Sequence, residues 1–127
     1  MIETPSLLIT DDDPAFRETL RLVFEPEGYR TLMAGDGEEA LSIIHRQDVH
    51  LVLLDMHMPK LTGLETLRLV KRVRAPLPCI LLSAELDEQI VRQALLAQAF
   101  SVLRKPVSRR QLTGVVRQAL LRTYGAS

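Results

Sequence analysis

Short apolar runs alternate with longer stretches of helical periodicity along this whole chain, and that alternation restricts the fold more than any other feature. The runs are Leu7-Leu8-Ile9-Thr10, Tyr29 to Ala34, Leu51-Val52-Leu53-Leu54, Cys79 to Ser83, and Phe100 to Leu103. Leu51 to Leu54 has no polar residue at alternate positions, so it reads as a central strand covered on both faces. Between the runs, apolar residues fall at helical spacing. The first such set is Phe16, Leu20, Val23 and Phe24, the second Ala40, Leu41 and Ile44, and the last Leu112, Val115, Val116, Ala119 and Leu120. A further helix is expected over Glu85 to Ala97.

Local signals mark the boundaries. Asp13 is placed to cap the first helix, Pro14 suits its first turn, and Gly28 ends it. Asp36-Gly37 opens the second helix. Thr62-Gly63-Leu64-Glu65 and Ser108-Arg109-Arg110-Gln111 both read as capping boxes. Pro76 and Pro78 break the chain before the fourth run. Five strand–helix units in succession predict an α/β fold, a doubly wound five-stranded parallel sheet with helices on both faces. At 127 residues the chain fits one domain, residues 1–127.

Charge narrows the function classes. Sixteen basic and sixteen acidic residues cancel, so the excess expected of a nucleic-acid binder is missing and no direct nucleic-acid binding is expected. Arg104, Lys105, Arg109, Arg110, Arg117 and Arg122 gather near the C-terminus and read as a solvated helix face. The single cysteine, Cys79, lies in an apolar run and cannot form an internal disulfide, which suits a reducing cytoplasm. No basic-then-apolar leader opens the chain, and no apolar run approaches the ~20 residues of a membrane span. A cytoplasmic location without membrane insertion is the expectation.

In open parallel sheets ligands bind outside the carboxyl ends of the strands. Here those ends carry Asp11-Asp12-Asp13, Asp55, Ser83-Ala84 and Lys105-Pro106. Taken singly, these are ordinary: a turn with a cap, a helix entry, a surface lysine. Together they are acids, a hydroxyl and an ammonium group on one edge. Clustered carboxylates repel unless a cation offsets them. An all-oxygen set favours a hard cation such as Mg²⁺. Carboxylates, Mg²⁺ and a lysine can receive a phosphoryl group, with Asp55 as nucleophile and the Ser83 hydroxyl as a hydrogen-bond donor.

These motifs resemble the receiver domains of bacterial response regulators of the chemotaxis-regulator type. The resemblance runs from Leu7 to about Leu121. It rests on Asp11-Asp12-Asp13 after the first strand, Leu51 to Pro59 followed by Gly63, Ser83-Ala84, and Lys105-Pro106. It implies a flavodoxin-like strand order 2-1-3-4-5. It makes Asp55 the phosphoacceptor of a two-component phosphorelay. It makes Asp11, Asp12, Asp55 and the main-chain carbonyl of His57 the Mg²⁺ ligands. Ser83 and Lys105 bind the phosphoryl group, and Lys105–Pro106 is a cis bond. The donor is a sensor histidine kinase or phosphotransfer protein, the downstream partner is unknown, and a homodimer is left open. His57 and Glu85 match positions that influence self-dephosphorylation. Val102 stands where the family usually has a switching Tyr or Phe, so the signal is expected to move through the Ser83–Glu85 loop. Phe100, two residues earlier, is expected to share a face with Val102.

Three other functions use similar parts. A pseudo-receiver acting only by protein contacts would not need the complete set of site groups. A haloacid-dehalogenase-like phosphatase wants Asp-x-Asp after its first strand, whereas Asp55-Met56-His57 follows the third. A flavodoxin-like FMN binder needs a phosphate cradle where this chain has Asp11-Asp12-Asp13.

Overall fold

The computed structural model describes residues 2–125. Five parallel strands, β1 (Ser6–Thr10), β2 (Arg30–Ala34), β3 (Leu51–Asp55), β4 (Cys79–Ser83) and β5 (Ser101–Arg104), pair in the order β2-β1-β3-β4-β5. The helices are α1 (Pro14–Phe24), α2 (Gly37–Arg46), α3 (Gly63–Val73), α4 (Glu88–Leu96) and α5 (Arg109–Tyr124). This is the doubly wound α/β sheet expected from the alternation of strands and helices, in the order that the resemblance implies. Among the described residues no helix is long and apolar enough to cross a membrane.

Every residue of β1, β3 and β4 is buried, which is why these runs lack polar alternation, while the edge strands β2 and β5 are partly open. Strand parity divides the core into two layers. Leu8, Val52, Leu54 and Leu81 pack with Ala40, Ile44, Leu67, Val70 and Ala94 beneath α2, α3 and α4. Leu7, Ile9, Leu53, Ile80 and Leu82 pack with Leu20, Phe24, Leu112 and Val116 beneath α1 and α5. Each fully buried leucine contributes about 1.5–3 kcal/mol, so these two layers hold the strand ends in fixed register.

Caps form largely where the sequence puts them. Asp13 accepts from the Ala15 N–H at 3.0 Å and Asp36 from the Glu39 N–H at 2.8 Å. Thr62 and Glu65 make the reciprocal capping box. At α5 only the forward half of the expected box forms, with Ser108 Oγ accepting from the Gln111 N–H.

Several expectations change. α1 stops at Phe24, and a 3-10 turn over Glu25–Glu27 intervenes before Gly28. β5 covers Ser101–Arg104 rather than Phe100 to Leu103. The helix expected over Glu85 to Ala97 starts at Glu88 and stops at Leu96. The Ser83 hydroxyl donates to the Glu85 carbonyl at 2.7 Å and accepts from the Glu85 N–H at 3.2 Å, a local turn that competes with helix. Asp87 then supplies the cap, accepting from the Ile90 N–H. Phe100 and Val102 do not share a face: Val102 packs on the α2–α4 side and Phe100 on the α1–α5 side. Phe100 lies just before β5, where strand parity no longer fixes its side, and the chain reaches it from α4 through Gln98 at φ 70°. β2 begins at Arg30 rather than Tyr29. In α2, Ile43 is buried more completely than the expected Leu41.

At the opposite end of the sheet from the carboxyl edge, His50 ties three elements together. The Ser6 N–H donates to His50 Nδ1 at 2.9 Å, and the Tyr124 hydroxyl donates to the His50 carbonyl at 2.7 Å. A backbone N–H only donates, so Nδ1 carries no proton. Burial holds the imidazole below its usual range, with Asp48 opposing and Arg74 reinforcing the shift. A histidine with a depressed folded pKa stabilises the fold above its unfolded value and loses that contribution as pH falls through the folded one. In His50→Asn, the side-chain oxygen can accept from Ser6 without titrating. Wild-type stability relative to this variant is expected to be constant above about pH 7 and to fall towards pH 5, by roughly the ~1 kcal/mol of one hydrogen bond. Denaturant melts across this range check it, and a flat difference contradicts it.

Candidate functional site

The carboxyl ends of β1, β3, β4 and β5 converge on one edge. Asp11 follows β1, and its N–H donates to the Ala34 carbonyl at 3.1 Å, so the turn continues the sheet register. Asp11 is 2% exposed, and its Oδ1 accepts from the Asp13 N–H at 2.9 Å. Asp55 is the last residue of β3 and is also buried. Asp12 is exposed beside them. One carboxylate oxygen from each of Asp11, Asp12 and Asp55 lies within 4.8 Å of the others.

Lys105, just past β5, reaches into this cluster. Its Nζ lies 2.9 Å from Asp11 Oδ2 and 3.0 Å from Asp55 Oδ1. Its N–H donates to the Ser83 carbonyl at 2.8 Å, which ties the lysine to the end of β4. The Lys105–Pro106 bond is cis. Burial pushes the Asp55 carboxyl up; the Lys105 hydrogen bond opposes this, and the Asp11 charge adds to it. Burial works against the Lys105 ammonium, but hydrogen bonds to Asp11 and Asp55 outweigh it and leave its pKa raised. The lysine therefore stays charged.

Gly63 sets the floor of the site. Its N–H donates to the Met56 carbonyl at 2.9 Å. A Cβ there would collide with the Asp55 carbonyl, with Leu81 Cδ1 at 2.7 Å and with Met56 Cα at 2.8 Å. Only glycine lets the start of α3 lie against the backbone that carries Asp55.

The edge thus brings together Asp11, Asp12, Asp55 and Lys105. Ser83 is buried nearby, but its hydroxyl is engaged with the Glu85 backbone. The His57 side chain is exposed, as is Pro106. Val102 is half-buried in the α2–α4 core layer. Two contributors escaped the sequence reading. Phe16 places its ring 4.1 Å from Lys105 Nζ, and Arg17 Nη1 donates to the Asp11 carbonyl at 2.6 Å. The signal was available: helical side chains lean towards the N-terminus, and α1 begins at the site.

Three clustered carboxylates with no nitrogen or sulfur donor fit a hard divalent cation of the Mg²⁺ kind. Against known proteins, residues 7–117 match the family model described as response regulator receiver domain. The chain belongs to that family.

This receiver domain is 36% identical over 118 residues to the transcriptional regulatory protein AfsQ1 of Streptomyces coelicolor, covering 93% of this chain and 52% of that protein. It is 34% identical over 116 residues to the DNA-binding response regulator MtrA of Mycobacterium tuberculosis H37Rv, covering 91% and 50%. The chain therefore spans about half the length of these curated relatives. Among solved structures it resembles a CheY-like receiver domain protein from Methanospirillum hungatei, with TM-score 0.92, 26% identity, and 95% and 97% of the two chains covered. It also resembles the response regulator TrrA of Thermotoga maritima, solved in complex with Mg²⁺-BeF, with TM-score 0.84, 30% identity, and 92% and 100% covered.

Gly63 tests the packing at the site, and Gly114, away from it, is the control. Gly63→Ala should gain up to about 1 kcal/mol of helix propensity but lose about 1–3 kcal/mol to overpacking, for a net loss. Gly114 lies within α5, and a Cβ there meets nothing within 4 Å. Gly114→Ala should stabilise by about 0.5–1 kcal/mol. Urea denaturation of both variants checks the opposite signs.

Proposed function

We propose that residues 1–127 act as one receiver domain that takes a phosphoryl group onto Asp55 from a phosphohistidine on a sensor kinase or phosphotransfer protein. The observation that carries this reading is the Lys105 ammonium held between Asp55 and Asp11 beside a three-carboxylate cluster. A carboxylate oxygen of Asp55 attacks phosphorus as the donor's P–N bond breaks, and the departing imidazole takes up a proton. Asp11, Asp12, Asp55 and the His57 carbonyl are the groups that would hold Mg²⁺. When bound, the ion neutralises charge on the transferred oxygens. Lys105 moves from its carboxylate partners to a phosphoryl oxygen. The chemistry ends at this acyl phosphate and its hydrolysis, with His57 and Glu85 exposed beside the site. A cytoplasmic setting follows from an intracellular kinase donor.

With Mg²⁺ and acetyl phosphate, wild type is expected to gain one hydroxylamine-labile phosphoryl group by intact-mass measurement, and Asp55→Asn none. Equal labelling of the two would remove Asp55 from this role.

Ser83 is proposed to couple the site to α4. Its hydroxyl cannot serve Glu85 and a phosphoryl oxygen in its present geometry, so phosphorylation draws it off the Glu85 turn. Addition of beryllofluoride is expected to shift the NMR resonances of residues 83–88 in wild type and to leave most of them in place in Ser83→Ala. A full response in that variant would rule out the hydroxyl as the coupling element.

A further inference from the structure

We infer that Phe16 is a positioning residue for Lys105, its ring face serving as the one contact the ammonium keeps while its carboxylate partners change. An ammonium has three N–H donors. Here Asp11 Oδ2 and Asp55 Oδ1 take two of them, at 2.9 and 3.0 Å, and the third side faces the Phe16 ring at 4.1 Å from Nζ to its centroid. The contact is attractive because the ring face is negative, and it strengthens where water is excluded.

Its placement gives the contact a use. The inference rests on the phosphoacceptor reading. Under that reading Asp11 turns to the metal and Asp55 becomes an acyl phosphate, so both anionic partners of Lys105 change. The ring does neither, because Phe16 sits in the first turn of α1, fixed by the Asp13 cap and packed against the α1–α5 core layer. A flexible four-carbon stem would otherwise let the ammonium swing out to water. Phe16 confines it to the strand ends, where a phosphoryl oxygen arrives.

The test uses Phe16→Leu, which keeps apolar bulk and removes the π face, and Phe16→Tyr, which keeps the face. Protons above an aromatic ring shift upfield, so the Lys105 ε-protons report the contact directly. They are expected upfield in wild type and Phe16→Tyr, and near random-coil positions in Phe16→Leu. With Mg²⁺ present, beryllofluoride affinity is expected to fall about three- to tenfold in Phe16→Leu and to be restored in Phe16→Tyr. Wild-type affinity in Phe16→Leu, or equal weakening in both variants, overturns the positioning role. If wild type bound no beryllofluoride, the phosphoacceptor reading would fail and the role with it, while the ε-proton shifts would still report the ring contact.

Discussion

One ammonium group pairs with two buried carboxylates that arrive on different strands, and the carboxyl edge of the sheet depends on it. Asp11 is 2% exposed and Asp55 7% exposed, so neither can rely on water to disperse its charge. Unpaired, each would cost several kcal/mol or take up a proton. Lys105 meets both at 2.9 and 3.0 Å. The same residue's N–H is bonded to the Ser83 carbonyl, so the pairing also fixes the end of β5 against β4. The arrangement is charge-deficient even so: three carboxylates face one lysine, which leaves room for a further cation.

That site can be this compact because the interiors of the central strands, Leu7–Ile9, Leu51–Leu54 and Cys79–Leu82, carry only apolar side chains. β1, β3 and β4 are buried along their whole length, so their ends are set by core packing rather than by the charges they carry. The Gly63 contact extends the same logic to α3, which lies directly on the Asp55 backbone. Arg17 does so for α1 by donating to the Asp11 carbonyl. Side chains that bear charge are thus held by backbone whose position comes from leucine, isoleucine and valine packing.

Most of this frame was legible in the sequence because it is written in local rules. Continuous apolar runs gave the strands, and Asp13, Asp36 and Thr62 marked helix starts through side chains that satisfy free N–H groups. The ends of those strands named Asp11, Asp55, Ser83 and Lys105. What was not legible depends on competition or on distance in sequence. Ser83 bonds to Glu85 instead of letting the helix begin there, and no periodicity reports that choice. Phe100 takes the other side because it lies outside β5, where strand parity does not hold. The ring of Phe16 under Lys105 joins residues 89 positions apart in number, and only the fold reveals the pairing.

The same details indicate where a signal can leave the site. On the proposed reading, Val102 stands where the resemblance to the family places an aromatic switch, and it is β-branched, stiff and packed into the α2–α4 layer. It has no large second position to adopt, and Phe100 cannot substitute from the opposite face. The route proposed instead is the Ser83–Asp87 segment, held by two Ser83–Glu85 hydrogen bonds and the Asp87 cap. This segment leads into the most weakly anchored helix. In α3, Leu64, Leu67 and Val70 are buried, whereas in α4 only Ala94 is, and Leu95 and Leu96 stand 53% and 77% exposed. Burying an alanine holds a helix far less strongly than burying three larger side chains. A rearrangement worth one or two hydrogen bonds at Ser83, about 1–3 kcal/mol, is therefore comparable with what holds α4 in place. It is small against what holds α3. Phosphoryl chemistry at Asp55 would thus be expected to move α4 and leave the sheet and α3 where they are.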